Sequence, residues 1–137
     1  MALVHVLKHP EKIKSLILTG SSGLFESGMG DTYPKRGDYD YIRKKTELTF
    51  YDPQIASKEL VDEVFEIVNS RLKAIKIISL AKSAIRHNLG NDLSLIQQPT
   101  LLIWGNNDTI TPPFVGREFH KLIPNSELHF KIGRAHV

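Results

Sequence analysis

One segment near the C-terminal end constrains the fold of this chain more than any other. Residues 100–104 form a short apolar run without charge after Pro99, which predicts a strand buried on both faces. Residues 105–107 have turn chemistry, and Asp108 comes directly after them. Thr111 is the predicted N-cap of a helix with prolines in its first turn. This order of strand, turn and helix predicts an α/β fold.

The position of Asp108 makes it a candidate functional residue. In open α/β sheets, ligands and catalytic groups collect at the carboxyl ends of the strands, where this acid is predicted to lie. The alternative is that Asp108 only caps its own turn, which is a common use of aspartate in loops. The spacing leaves both interpretations open.

A long helical region precedes residues 100–104. Residues 21–37 are rich in glycine, serine and charge and are predicted to form a linker. Ser57 is the predicted cap of a helix whose apolar residues form one stripe, and residues 72–85 continue the helical pattern. A crossover between parallel strands needs only about 10–15 residues, so we predict a separate helical unit at residues 24–92. The alternative is an ordinary helical layer of a Rossmann-like domain.

In order and pattern, these segments resemble the α/β-hydrolase fold family. Residues 100–113 are similar to the family's acid-bearing loop, where an aspartate after the penultimate strand orients the catalytic histidine. Residues 9–19, which begin His-Pro-Glu, are similar to a helix end, a turn and the next parallel strand of that fold. The resemblance covers nearly the whole chain and implies the C-terminal half of the fold. It implies three parallel strands side by side, at residues 15–19, 100–104 and 126–130.

The resemblance also implies a function. Asp108 would hold the tautomer of a catalytic histidine and stabilise its imidazolium while a nucleophile attacks a carbonyl. Residues 24–92 would be the cap, or lid, that excludes water and shapes the substrate pocket. The expected enzyme is a hydrolase acting on an ester, amide or carbon–carbon bond of an apolar small molecule. Five aromatic residues are candidates for the apolar face of the cap, although packing explains them equally well: Tyr33, Tyr39, Tyr41, Phe50 and Tyr51.

One departure from the family's pattern concerns the nucleophile. The G-x-S-x-G elbow is absent, and residues 20–23 lack its spacing and follow the wrong strand. We therefore expect a C-terminal fragment that starts at an internal codon and is inactive by itself. The nucleophile stays open between serine and the aspartate of haloalkane dehalogenases and epoxide hydrolases. A further alternative is a non-catalytic ligand-binding protein on the same fold.

Residues 131–137 are a second departure. One back-translation of this segment reproduces the start of a common sequencing adapter, which predicts read-through rather than protein sequence. His136 lies near the expected place of the catalytic histidine, but on this interpretation it is not catalytic. The predicted organisation is a core helix and strand at 1–23, a helical cap at 24–92, core strands and helix with the acid loop at 93–130, and an artefact at 131–137.

Composition argues against several classes of function. The net charge of +3 falls to +1 without Lys131 and Arg134, so the charge gives no argument for a nucleic-acid or membrane partner. The absence of cysteine excludes disulfides and thiol catalysis. No apolar run approaches ~18 residues, and no cluster of His, Asp and Glu has metal-ligand spacing. We expect a cytoplasmic enzyme with a small-molecule substrate, no cofactor and no metal, and its oligomeric state stays open.

Overall fold

The computed structural model describes residues 2–25, 35–86 and 88–133 of the 137-residue chain. In chain order, the helices and strands are α1 (Ala2–Lys8), β1 (Leu16–Thr19), α2 (Tyr39–Glu47), α3 (Lys58–Asn69), α4 (Arg71–Arg86), β2 (Thr100–Gly105), α5 (Pro113–Leu122) and β3 (Ser126–Lys131). Single 3₁₀ turns lie at Pro10–Lys12, Pro53–Ile55 and Leu93–Leu95. Tyr33 and residues 134–137, including His136, lie outside the described residues.

The three strands form one parallel sheet in the order β1-β2-β3. The register places Leu18 beside Leu102 and Leu102 beside Leu128. Parallel neighbours need a crossover connection, and the helical region provides the first crossover while α5 provides the second. The prediction of an α/β fold with three neighbouring parallel strands is confirmed. β2 is the middle strand, so the loop that follows Gly105 lies between the carboxyl ends of β1 and β3.

The hydrophobic core lies on one face of this sheet. Side chains alternate between the two faces along a strand, and the buried strand residues share one parity: Leu16, Leu18, Leu102 and Trp104. Helices α1 and α5 and the segment at residues 93–96 pack their buried side chains into the same cluster. The residues they contribute are Leu3, Val6, Leu93, Ile96, Val115 and Phe119, with Ile123 following α5.

The opposite face of the sheet is only partly covered. Leu101 and Ile103 are half-buried, and Ile17 is 63% exposed. The prediction that residues 100–104 are buried on both faces is therefore correct for one face of the sheet and wrong for the other. The reason is that the buried residues of α1 and α5 all join the cluster around Leu102.

The helical region follows the pattern of the sequence closely. The Ser57 hydroxyl accepts a hydrogen bond from the Leu60 amide (3.3 Å), so the predicted cap of α3 is confirmed. The hydroxyl of Tyr39 in α2 donates to the carboxylate of Asp62 in α3 (2.5 Å), which joins these two helices. In the described part of the chain, no helix has both the length and the apolar character needed to span a membrane.

Candidate active site

Asp108 lies in the loop that follows β2, which we name the acid loop (residues 106–112). The side chain is only 3% exposed. Its Oδ1 atom accepts hydrogen bonds from the backbone amides of Ile110 (2.8 Å) and Thr111 (2.9 Å), and its Oδ2 atom accepts one from the Thr111 hydroxyl (3.2 Å). A buried carboxylate needs such donors to offset its lost hydration. The loop therefore holds Asp108 in a fixed orientation.

The role predicted for Thr111 as a helix cap is wrong. Helix α5 begins at Pro113, and its N-cap position is Pro112, which makes no side-chain cap hydrogen bond. Thr111 is 1% exposed, and its hydroxyl donates to Asp108 instead. The physical reason is that Thr111 lies one residue before the N-cap position, and Pro113 has no amide N–H that could donate to its hydroxyl. Only the three-residue spacing in the sequence is consistent with the pairing of Thr111 and Asp108.

Trp104 supports the acid loop, and Gly116 allows helix α5 to pack closely against Trp104. The Trp104 indole Nε1 donates to the Thr111 carbonyl oxygen (2.8 Å), and its ring packs against Phe119 with centroids 5.5 Å apart. A Cβ atom on Gly116 would lie 2.8 Å from two carbons of the indole. Only glycine lets α5 approach the indole this closely, so strand, helix and loop form one packed unit. Nothing in the sequence indicated the hydrogen bond of Trp104.

The segment after β3 is hydrogen-bonded to the acid loop. The Asn106 amide donates to the Lys131 carbonyl (2.9 Å), and the Asn107 amide donates to the Gly133 carbonyl (3.0 Å). In return, the Gly133 amide donates to the Asn107 side chain (3.3 Å). Gly133 has φ +102°, a conformation that favours glycine. The chain that leaves β3 therefore passes beside the loop that carries Asp108.

A cavity of about 560 Å³ lies between the helical region and the acid loop. Thr109 and Ile110 line it on the side of the acid loop, directly after Asp108 in sequence. Most of the remaining wall is apolar and comes from α2, α3 and the segment between them: Ile42, Leu48, Phe50, Leu60, Val64 and Val68. This size suits a small organic molecule.

Of the four aromatic candidates that the structure describes, two line the cavity and two lie elsewhere. Tyr41 and Phe50 line the cavity, as the sequence suggested. Tyr39 instead binds Asp62, and Tyr51 is 53% exposed and lies near Gly133. Arg36 and Lys45 also line the cavity. The sequence did not indicate either residue, because neither a linker nor a helical pattern shows which charged side chains line a cavity.

The described histidines make contacts of their own. His120 bonds to the hydroxyl of Ser126 (2.9 Å), and His129 bonds to the carboxylate of Glu127 (2.7 Å). His5 and His9 pack their rings together, with centroids 5.1 Å apart. Within residues 2–25, 35–86 and 88–133, no three His, Cys, Asp or Glu side chains lie together as metal ligands.

Similarity to known proteins comes from individual relatives, since no protein-family model matches the chain. The 2-hydroxy-6-oxononadienedioate/2-hydroxy-6-oxononatrienedioate hydrolase of Pseudomonas sp is 24% identical over 93% of this chain and 50% of its own length. Lipase 1 of Psychrobacter immobilis is 26% identical over 100% of this chain and 46% of its own length. The chain thus spans about half the length of the curated relatives it matches.

A solved structure agrees with these relatives. An α/β-hydrolase enzyme from the metagenome of sediments from the lagoon of Mar Chica, Morocco, superposes with a TM-score of 0.67 and 36% sequence identity. The match covers 96% of this chain and 45% of that one. The neighbours of this chain in sequence and structure are α/β-hydrolases, and its parallel sheet and helices have the fold of that class.

Proposed function

We propose that this chain is the acid- and cap-bearing half of an α/β-hydrolase that cleaves an ester, amide or carbon–carbon bond of an apolar small molecule. One observation carries the proposal: Asp108 is buried after the central strand and held by three hydrogen bonds, beside a cavity that Thr109 and Ile110 line. A residue that only caps a turn does not need to be buried next to a cavity. The hydrolase relatives support the same class of activity.

In this proposal, Asp108 is the acid of a nucleophile–histidine–aspartate triad. The carboxylate would accept the Nδ1–H of the histidine, fix its tautomer and stabilise the imidazolium that forms when the nucleophile gives up its proton. The acid loop has the rigidity this role requires, because Thr111 fixes both carboxylate oxygens and Trp104 fixes Thr111. The nucleophile, serine or aspartate, would come from a part of the protein outside this sequence.

The helical region at residues 24–92 would act as the cap in the same proposal. Its helices α2 and α3 form most of the apolar wall of the cavity, and the acid loop closes the other side. A cap of this kind excludes water from the reacting groups and selects substrates by shape. The small-molecule substrate would bind between α2, α3 and Ile110.

Sequencing the source DNA upstream of Met1 and assaying the encoded protein would test this proposal. We expect a strand followed by an elbow within about 120 codons, with G-x-S-x-G for a serine enzyme or an aspartate at the same place. The full-length protein should release nitrophenol from a short-chain ester, and alanine at the elbow position should abolish this release. An elbow without a nucleophile, together with retained ligand binding, would favour the non-catalytic binding protein instead.

A further inference from the structure

We propose that the cavity selects substrates that carry a carboxylate on an apolar body, with Arg36 and Lys45 binding the carboxylate. This inference rests on the proposed function, since it takes the cavity between the helical region and the acid loop as the substrate site. Its basis is the charge of the wall. Arg36 and Lys45 line the cavity, and among its described lining residues there is no aspartate or glutamate.

Arg36 and Lys45 belong to none of the ion pairs among the described residues. In the described part of the chain, the ion pairs near the cavity use other side chains: Arg43 with Asp40 (3.1 Å) and Lys58 with Asp62 (2.6 Å). Both of those pairs are exposed and lie outside the lining. Neither pair involves Arg36 or Lys45, so the described ion pairs leave the charge of both side chains at the cavity wall.

Contacts within the helical region position the Arg36 backbone and the Lys45 ammonium at the cavity. The side-chain amide of Asn69 donates to the Arg36 carbonyl (2.9 Å) and to the Phe65 carbonyl (2.9 Å), which ties the Arg36 backbone to the end of α3. The Lys45 ammonium lies over the ring of Tyr41, 5.8 Å from its centroid. Such a cation–π contact keeps the ammonium near the wall without removing its charge. The cavity wall therefore carries two basic side chains from different segments, one before α2 and one within it.

The apolar part of the cavity wall indicates what the remainder of the ligand would be. The apolar side chains of Ile42, Leu60 and Val64 suit a hydrocarbon body, and Ile110 brings that body towards the acid loop. The bond to be cleaved would lie near Asp108, and the carboxylate would lie towards Arg36 and Lys45. The inferred substrate is an ester, amide or ketone with a carboxylate remote from the reacting carbonyl.

A matched pair of ligands tests this inference in the full-length protein encoded by the gene. The probes are 4-phenylbutyrate and 4-phenylbutanamide, which have the same shape and differ in charge, and binding is measured by titration calorimetry. We expect the carboxylate to bind about fivefold tighter, a value typical of exposed charge pairs. The preference should shrink as salt is added, because ions screen exposed charges.

Variants assign the preference to the two cations. The double variant Arg36→Met with Lys45→Met should bind both probes equally. The control Lys44→Met removes the same charge from the same turn of α2, but Lys44 does not line the cavity, so the preference should persist. Circular dichroism of each variant checks that the helices are retained.

Each other outcome overturns the inference. Equal affinity for the two probes, no binding of either by the folded protein, or a preference that survives in the double variant would show that the cavity does not recognise the carboxylate. The nitrophenyl ester assay separates this failure from that of the proposed function. Hydrolysis without a charge preference contradicts the inference alone, whereas a charge preference without hydrolysis contradicts the proposed function alone.

Discussion

At the scale of single residues, the two roles that the sequence presents as alternatives for Asp108 are compatible. The carboxylate does cap its own turn, since it accepts from the amides of Ile110 and Thr111. It is also buried after the central strand, and the next two residues, Thr109 and Ile110, line the cavity, which is consistent with the proposed catalytic role. The turn hydrogen bonds are what would hold a catalytic carboxylate still, so the first role supports the second.

The Thr111 hydroxyl should contribute measurably to stability. Thr111→Val keeps the shape of the side chain but removes a hydrogen bond to a buried carboxylate (3.2 Å). We expect a loss of about 1–3 kcal/mol in the free energy of unfolding of the full-length protein. The measurement is urea unfolding. Thr109→Val, two residues earlier in the same loop and exposed, is the control and should have little effect. Equal midpoints for the two variants would contradict this account of Thr111.

Gly116 should tolerate no larger residue. In Gly116→Ala, the added Cβ would lie 2.8 Å from the Trp104 ring, and a fully buried indole has little room to move. We expect a loss of about 1–3 kcal/mol from overpacking. Gly37→Ala is the matched control, because nothing lies within 4 Å of the new methyl group. A thermal melt in which both variants match the parent would show that α5 shifts freely.

At the scale of elements, the link between α2 and α3 should depend on pH. Hydrogen bonds from Lys58 and then from Tyr39 hold the pKa of Asp62 below its usual value. A lowered pKa means that the link stabilises the helix pair above the unfolded pKa of aspartate, and that this contribution is lost as pH falls through the folded pKa. The hydrogen bond to Asp62 also raises the pKa of Lys58 and of Tyr39, so their contributions are lost as pH rises through those raised values.

A pH series of melts tests this link. In Asp62→Asn, the stability of the helical region should fall less than in the parent as the pH is lowered, so the acid limb of its stability curve becomes flatter. Asp40→Asn is the control, because Asp40 forms only an exposed pair within α2. If both variants keep the acid limb of the parent, the Tyr39–Asp62 contact does not stabilise the helix pair.

The elements were predictable from the sequence where one local pattern decides the structure. The apolar run at residues 100–104 predicted β2, and the resemblance to the α/β-hydrolase fold implied β1 and β3. The stripe after Ser57 predicted α3 together with its cap. The hydrogen bonds of Thr111 and Trp104 were not predictable, because they depend on how α5 packs against β2. The position of Arg36 at the cavity depends in the same way on a distant contact, since Asn69 donates a hydrogen bond to the Arg36 carbonyl thirty-three residues away in sequence.

At the scale of the whole molecule, β1 is one of the two edge strands of the described sheet, and β3 is the other. Ile17 in β1 is 63% exposed. An exposed apolar edge strand can pair with the same strand of a second copy, and such pairing leads to self-association. We predict that the 137-residue polypeptide, expressed by itself, forms soluble aggregates or folds only partly. Size-exclusion chromatography with light scattering measures this, and a monodisperse monomer with one cooperative thermal transition would contradict it.

A charge on the edge strand tests the cause of that behaviour. Ile17→Lys should reduce the aggregated fraction, because a charged edge resists pairing with a second strand. Leu72→Lys is the control: it removes an exposed leucine from α4, away from the sheet, and should give no relief. Equal relief from both variants would show that general surface hydrophobicity, and not the edge of β1, drives association.

The most direct test of the central claim is the turnover of Asp108→Asn in the full-length protein. Asparagine keeps the acceptor for the two loop amides but loses the charge that would stabilise an imidazolium. We predict a fall in kcat of about 10⁴-fold, as for a triad acid, while circular dichroism shows that the fold is retained. Asp92→Asn is the control, because Asp92 is exposed and caps nothing with its side chain, and it should keep full activity. Unchanged turnover in Asp108→Asn would show that Asp108 is only a turn cap.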